Sequence, residues 1–226
     1  MISLDNSSEN PVLSLISKYL NLGEETPDYM MKPGLKYRLT EQKKKIALET
    51  PKEIQAQINN ALYFYPSDWL KQAFKRPLFG ISQADRAYFT NDGQIVDYKT
   101  GTIYLFNILD VGRGETSTVV HELGHLMEHS IPKIADLSQQ FYNKRTKGET
   151  LEKLKDITGD DSYTDDEVTR KDNFANPYIG KWYGSLGSSE IISIGMEGVL
   201  FNSYDLWQKD PEHTKFMLGL ILGVKV

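Results

Sequence analysis

Val119-Val120-His121-Glu122-Leu123-Gly124-His125-Leu126-Met127-Glu128-His129 is the stretch from which the rest of the chain can be read. An α-helix turns about 100° per residue, so side chains four apart share a face, roughly 6 Å from one another along the axis. His121 and His125 can therefore present two imidazole nitrogens to one tetrahedral Zn2+. Glu122 then points beside the ion, where its carboxylate can take a proton from water. The chain has only four histidines, so this spacing with a Glu directly after the first is a specific signal. The setting is helical. Thr116, Ser117 and Thr118 offer N-cap hydroxyls, and Val119, Val120, Leu123, Leu126 and Met127 form an apolar stripe wide enough to bury a helix. The plain alternative, two core histidines on an amphipathic helix, is disfavoured by both the Glu and the setting.

A catalytic zinc takes three protein ligands and keeps a fourth position open. The chain has no cysteine, which excludes disulfides and thiolate sites and leaves His and carboxylate as ligands. His129 lies about 6 Å beyond His125 on the same helix, too far to share the ion. The longer motif with a third His two residues later, after a Gly turn, is absent. His129 reads as a surface or outer residue, and His213, after Asp210-Pro211-Glu212, as a helix-start residue. What remains is a carboxylate on a second helix, within Ser188-Ser189-Glu190-Ile191-Ile192-Ser193-Ile194-Gly195-Met196-Glu197. Two acids in so apolar a helix call for partners, since a buried carboxylate is unfavourable unless paired or metal-bound. Glu190 and Glu197 share a face but stand about 10 Å apart, so one ion cannot take both. Gly195 is expected to let the two helices approach.

Around these two helices the chain falls into an α+β order. An apolar helix over 11–22, a Pro-containing linker and a basic helix at 40–48 come first. Thr50-Pro51-Lys52-Glu53 has the form of a capping box opening a helix to about Tyr65, and Ser67 is expected to cap a short helix at 68–75. Strands are predicted at 77–81, 86–90, 94–96 and 102–106, with Asn91-Asp92-Gly93 as a hairpin turn. Helices follow at 134–142, 151–158, 190–206 and 216–222. The segment 173–187, rich in Gly and aromatics, is expected to lie irregularly over the site. The division drawn is a helical N-terminal segment, 1–75, and a domain over 76–226. The acidic run at 160–166 lacks the spacing of a calcium loop and reads as solvated.

A net charge of −5 supplies no basic footprint, which speaks against nucleic acid as a partner. Met1-Ile2-Ser3-Leu4-Asp5 lacks the basic and apolar regions of a signal peptide, and no apolar run approaches the ~20 residues of a membrane span. The expectation is a cytoplasmic product with no membrane partner, with packaging in a virion or delivery to a host as further routes.

His121-Glu122-Leu123-Gly124-His125, followed by Glu190 in an E-x-x-S-x-G-x-E helix, resembles the gluzincin-type zinc metallopeptidase domains. More narrowly, the chain is similar to the metallopeptidase-like domains of phage minor head (head morphogenesis) proteins and to the catalytic domain of lethal-factor-type toxins. The similarity runs from about Arg86 to Gly223 and includes the segment Asn176 to Tyr183. It implies a zincin-like α+β fold, with zinc held by His121, His125 and Glu190 and with Glu122 as general base and then acid. Tyr183, seven residues before Glu190, takes the place of a tyrosine that lines the site in the toxins, with a phenol for the developing oxyanion. Glu197 then falls beside the ligands, placed to accept a hydrogen bond from a ligand imidazole. The substrate is expected to be a protein or peptide, with phage head proteins as further partners. One of the strands at 86–89 and 102–106 is expected to be a sheet edge that pairs with an extended substrate. The chain departs from the toxins after the Glu, with Ile191, Ile192, Ser193 and Gly195 where they carry an aromatic and alanines. Two rivals follow from the same resemblance: a non-enzymatic head domain whose zinc staples two helices, and an effector peptidase acting on one host protein.

Overall fold

The computed structural model describes residues 46, 50–84, 86–97, 102–184 and 189–223. The helix expected at 11–22, the linker after it and all but Ile46 of the helix expected at 40–48 lie outside the described residues. Helices α1 (Lys52–Leu62) and α2 (Ser67–Ala73) lead into strands β1 (Leu78–Ile81), β2 (Tyr88–Asp97) and β3 (Thr102–Asp110). Helices α3 (Thr116–Ser130) and α4 (Pro132–Arg145) follow. A two-residue strand pair, β4 (Glu152–Lys153) and β5 (Val168–Thr169), brackets the short α5 (Leu154–Thr158). A 3-10 turn, Pro177–Gly180, precedes α6 (Ile191–Phe201), α7 (Ser203–Lys209) and α8 (Pro211–Gly223). Among the described residues this is a mixed α+β arrangement of eight helices and small sheets.

Helix α3, which carries the motif, runs through the middle of the core. Val119, Val120, Leu123, Leu126 and Met127 are all fully buried, each worth roughly 1.5–3 kcal/mol of apolar burial. Helices α1, α2, α4 and α6 and strand β2 all pack against it. Helix α1 joins through Ile54, Ile58, Ala61 and Leu62, which recur at helical spacing, so the core runs unbroken from Ile46 to Ile221. None of the three predicted caps forms, the N-cap position of α2 falling on Pro66 rather than Ser67. Thr50 Oγ1 accepts the N–H of Gly80 at 2.9 Å, which ties α1 to β1, and the N-cap position of α3 falls on Glu115 with no side-chain bond.

The main sheet has the order β1-β3-β2, with β3 parallel to β1 and antiparallel to β2. Asn91-Asp92-Gly93 is not a hairpin turn. Strand β2 runs straight through it, with a register shift between Thr90 and Gly93. The reason is a cross-strand contact: a Cβ on Gly93 would come to 2.5 Å from the Phe106 ring, so glycine serves close strand approach, and the extra residues form a bulge. The helix expected over 190–206 breaks at Asn202, whose backbone leaves the helical region (φ −145°, ψ 43°), and α7 folds back so that Leu206 lies against Gly198. No helix among the described residues is long and apolar enough to cross a membrane.

Candidate metal centre

The structure brings His121, His125 and Glu190 together. His121 Nε2 lies 3.2 Å and His125 Nε2 3.4 Å from the same Glu190 oxygen, Oε2. Donors on a tetrahedral zinc, with bonds of about 2.0–2.1 Å, stand roughly 3.3 Å from one another, so this spacing fits one small ion. Two imidazoles and one carboxylate, with no sulfur, are a donor set that zinc accepts, and the three residues could hold a metal ion. Glu190 is 1 % exposed and stands at the N-cap position of α6. Glu197 is placed differently. Its Oε2 is 3.4 Å from Nδ1 of His121, on the side of the ring away from Glu190, and its side chain is 41 % exposed.

The carboxylate of Glu190 has a partner at each oxygen. Tyr183 donates its hydroxyl to Oε1, and Ser193 Oγ donates to Oε2 at 2.7 Å. Tyr183 thus sits against the ligand itself. Burial and the adjacent charge of Glu190 push its phenol pKa upward, so it remains a donor. Burial opposes a charge on His121, yet hydrogen bonds to the carboxylates of Glu190 and Glu197 raise it to about 10. His125 is raised against its burial by Glu190. Glu190 is held well below the carboxylate range: burial alone would raise it, and the two histidines more than reverse that. Burial lifts Glu122 above its usual range, against the pull of His125 and His121. This is the electrostatic pattern of a cation site with a buried base beside it.

Residues without a role in the sequence reading hold these groups in place. A Cβ on Gly124 would lie 2.7 Å from Ser193 Cα, so it is Gly124 that lets α3 and α6 touch. The expectation placed on Gly195 is corrected: it faces Met217 and His213 of α8 instead. Glu128 is 3 % exposed and accepts both the N–H and the Oγ–H of Ser189, at 3.1 and 2.9 Å. Ser138 Oγ lies 2.8 Å from the same Ser189 hydroxyl. Since Ser189 immediately precedes Glu190, Glu128 clamps the ligand's backbone to the helix that carries both histidines. The readable signal was position. Glu128 is three residues after His125 and seven after His121, on the buried face of the helix. Beneath, Tyr65 donates its hydroxyl to the carbonyl of Val120 at 2.6 Å. His129 lies outside the cluster, exposed, with Nε2 2.8 Å from Asn91 Nδ2. His213 is fully buried on the far side of α6, its Nε2 2.8 Å from the carbonyl oxygen of Ile191.

The three residues open onto a cleft of about 870 Å³, lined also by Glu122, Tyr183 and residues 86–91. Strand β2 forms that wall. It pairs with β3 on one side only and is an edge of the sheet among the described residues, whereas β3 is internal. Comparison of the chain with protein-family models, with curated protein sequences and with solved structures returned no match.

Proposed function

We propose that this protein is a zinc-dependent metalloendopeptidase of zincin-like fold. One observation carries the reading: His121, His125 and Glu190 converge at ion-ligand spacing on the floor of an open cleft, with the carboxylate of Glu122 buried beside them. A site that merely stapled two helices would have no use for a fourth, basic group at an open position. When bound, zinc supplies the Lewis acidity that polarises a carbonyl and acidifies water.

The remaining work belongs to the chain. Glu122, whose pKa burial raises, takes the proton of the attacking water as the oxygen adds to the scissile carbonyl. It returns that proton to the amine nitrogen as the C–N bond breaks. Tyr183, a protonated phenol at the cleft, is the candidate donor to the developing oxyanion if its one O–H turns from Glu190 to the substrate. Strand β2 offers free backbone N–H and C=O groups to an extended peptide, which would bring a scissile bond across the cleft. The resemblance to phage head-associated peptidase domains favours head proteins as the substrate class.

The test is Glu122→Gln. The variant is expected to bind one zinc per chain as the wild type does and to lose peptide hydrolysis by ~10²–10⁴-fold, the range of a general base. Equal zinc with equal hydrolysis would remove Glu122 from the mechanism. Zinc binding without hydrolysis in either protein would favour the structural-staple rival.

A further inference from the structure

The two ends of the cleft carry different side chains. At one end Asn91 and His129 share a hydrogen bond and Phe89 packs on the imidazole at 6.1 Å. Burial and nearby Arg76 lower the pKa of His129. At the other end stands Arg86, an exposed residue on the loop that enters β2.

Residues 82–84, just ahead of Arg86, are held by hydrogen bonds. Asp110, 1 % exposed, accepts the backbone N–H groups of Gln83, Ala84 and Gly112, and Ser82 Oγ donates to the Gly112 carbonyl at 2.7 Å. The guanidinium is oriented as well. Its Nη2 donates to the Tyr178 hydroxyl at 2.8 Å and its Cζ lies 5.5 Å from that ring's centroid. Tyr178 is itself fixed, its N–H bonded to Asn176 Oδ1 in the 3-10 turn. Lys181 reaches the same hydroxyl at 3.3 Å, but Glu167 neutralises it at 2.6 Å. Among the described residues no carboxylate lies at ion-pair distance from Arg86. A guanidinium carries five N–H donors in a planar fork that matches a carboxylate, and the bond to Tyr178 uses one of them. Arg86 stands two residues before Tyr88, where the free edge of β2 begins, so a peptide strand paired with that edge passes one side chain beside it.

We propose that Arg86, oriented by Tyr178, is a recognition site for an acidic side chain of the substrate, and that the enzyme cleaves peptides carrying Asp or Glu at one position close to the scissile bond. This deepens the peptidase reading and rests on it.

The full zinc-loaded chain is incubated with a peptide mixture made by tryptic digestion of a bacterial proteome, and cleavage sites are located by mass spectrometry. The best-cleaved sequences are resynthesised with amidated C-termini, and each Asp or Glu is replaced in turn by its amide. At one position the amide is expected to lower kcat/KM roughly tenfold, the low end for a charged hydrogen bond near solvent. In Arg86→Ala that ratio falls to about 1, in Arg86→Glu the preference shifts to Lys or Arg, and in Tyr178→Phe the ratio is intermediate. Zinc stays at about one per chain in all of them. Should Arg86→Ala not fold, Arg86→Gln carries the same comparison. A wild-type ratio near 1 at every position, or a ratio that survives the loss of Arg86, overturns the proposal and leaves the peptidase reading standing. No cleavage of any peptide by the zinc-loaded wild type overturns that reading, and this proposal with it.

Discussion

Helix α6 has a histidine against each of its two sides, and their fates are opposite. On one side His121 meets the carboxylates of Glu190 and Glu197 and is raised to about 10. On the other, His213 meets the carbonyl of Ile191, is stacked by Phe141 at 5.7 Å, and is lowered by burial to about 4. Burial, extensive at His121 and complete at His213, pulls the pKa of both down, so burial alone does not decide the charge of an imidazole. The partner does: a carboxylate compensates a buried positive charge, whereas a backbone carbonyl accepts one N–H and leaves the ring neutral. The side of α6 with carboxylates is the one suited to a cation. On the other side the nearby carboxylate of Asp210 is paired with Arg145, and His213 holds the helix that presents Glu190.

The comparison breaks most sharply on substitution of a ligand. Glu190→Ala, like His121→Ala or His125→Ala, is expected to abolish stoichiometric zinc binding, read by metal analysis of the purified protein. If Glu197→Ala strips the metal and Glu190→Ala does not, the assignment of the two acids is reversed. His213→Ala is the counterpart on the far side. It removes a buried ring and its bond to Ile191, and should lower unfolding free energy by about 2–3 kcal/mol in denaturant titration with zinc stoichiometry unchanged. Loss of zinc in a folded His213→Ala protein would show that the two sides of α6 are not separable.

How much of this could be read from the chain follows the range of the interactions. His121, Glu122 and His125 were legible because a helix brings them together with no help from the rest of the fold. The same holds for the buried stripe of α3 and for the α+β order. Glu190 and Glu197 could not be ranked from their own geometry, because the choice depends on where α6 crosses α3, and that crossing is fixed by Gly124 meeting Ser193. Asn91-Asp92-Gly93 misled for a similar reason. A strong local turn signal lost to a tertiary contact, the Phe106 ring on Gly93. The Thr50 hydroxyl, expected as a cap, was diverted likewise to the N–H of Gly80. Glu128 was visible by its place on the helix, but its partner Ser189 lies sixty-one residues away, beyond any local pattern. Arg86 gave no signal at all, since its role depends on Tyr178 across the cleft.

Glu197 sharpens the comparison from the metal side. It stands 3.4 Å from the outer nitrogen of His121, where an imidazole bound to a metal through Nε2 would donate its Nδ1–H. Such partners fix tautomer and ring direction, and removing one weakens metal binding by ~10–100-fold. Glu197→Ala should therefore keep a zinc site of reduced affinity, measured by competition with a chelator of known strength. Because the side chain is 41 % exposed, the lower end of that range is expected. Wild-type affinity in Glu197→Ala would leave His121 oriented by packing alone.

The smallest expected effect is a slope, and its sign differs between the two sides of α6. In protein stripped of metal, His121 has a folded pKa of about 10, against about 6.5 for an unfolded histidine. The folded state then binds the proton more tightly, so this contribution is complete below about pH 6.5 and is lost as pH rises towards 10. For His213, folded pKa about 4, the unfolded state binds the proton more tightly, so its contribution is complete above about pH 6.5 and is lost as pH falls towards 4. Glu190, depressed in the folded state, adds to the acid loss only below the ordinary carboxylate range. The contributions of these three groups together are largest near pH 6.5, with limbs no steeper than about 1.4 kcal/mol per pH unit for each group. His125 adds to the alkaline loss, and the raised Glu122 and Glu128 lose stability as pH climbs above the ordinary carboxylate range. The limbs should respond to different changes. His213→Phe flattens the acid limb alone, as an aromatic ring remains in the same place with nothing to protonate. Zinc flattens the alkaline limb and steepens the acid one, because a metal-bound imidazole has already given up its proton and affinity rises with pH. Denaturant titrations from pH 4 to 10 with and without zinc would test this, and an alkaline limb indifferent to zinc would detach His121 from the metal site.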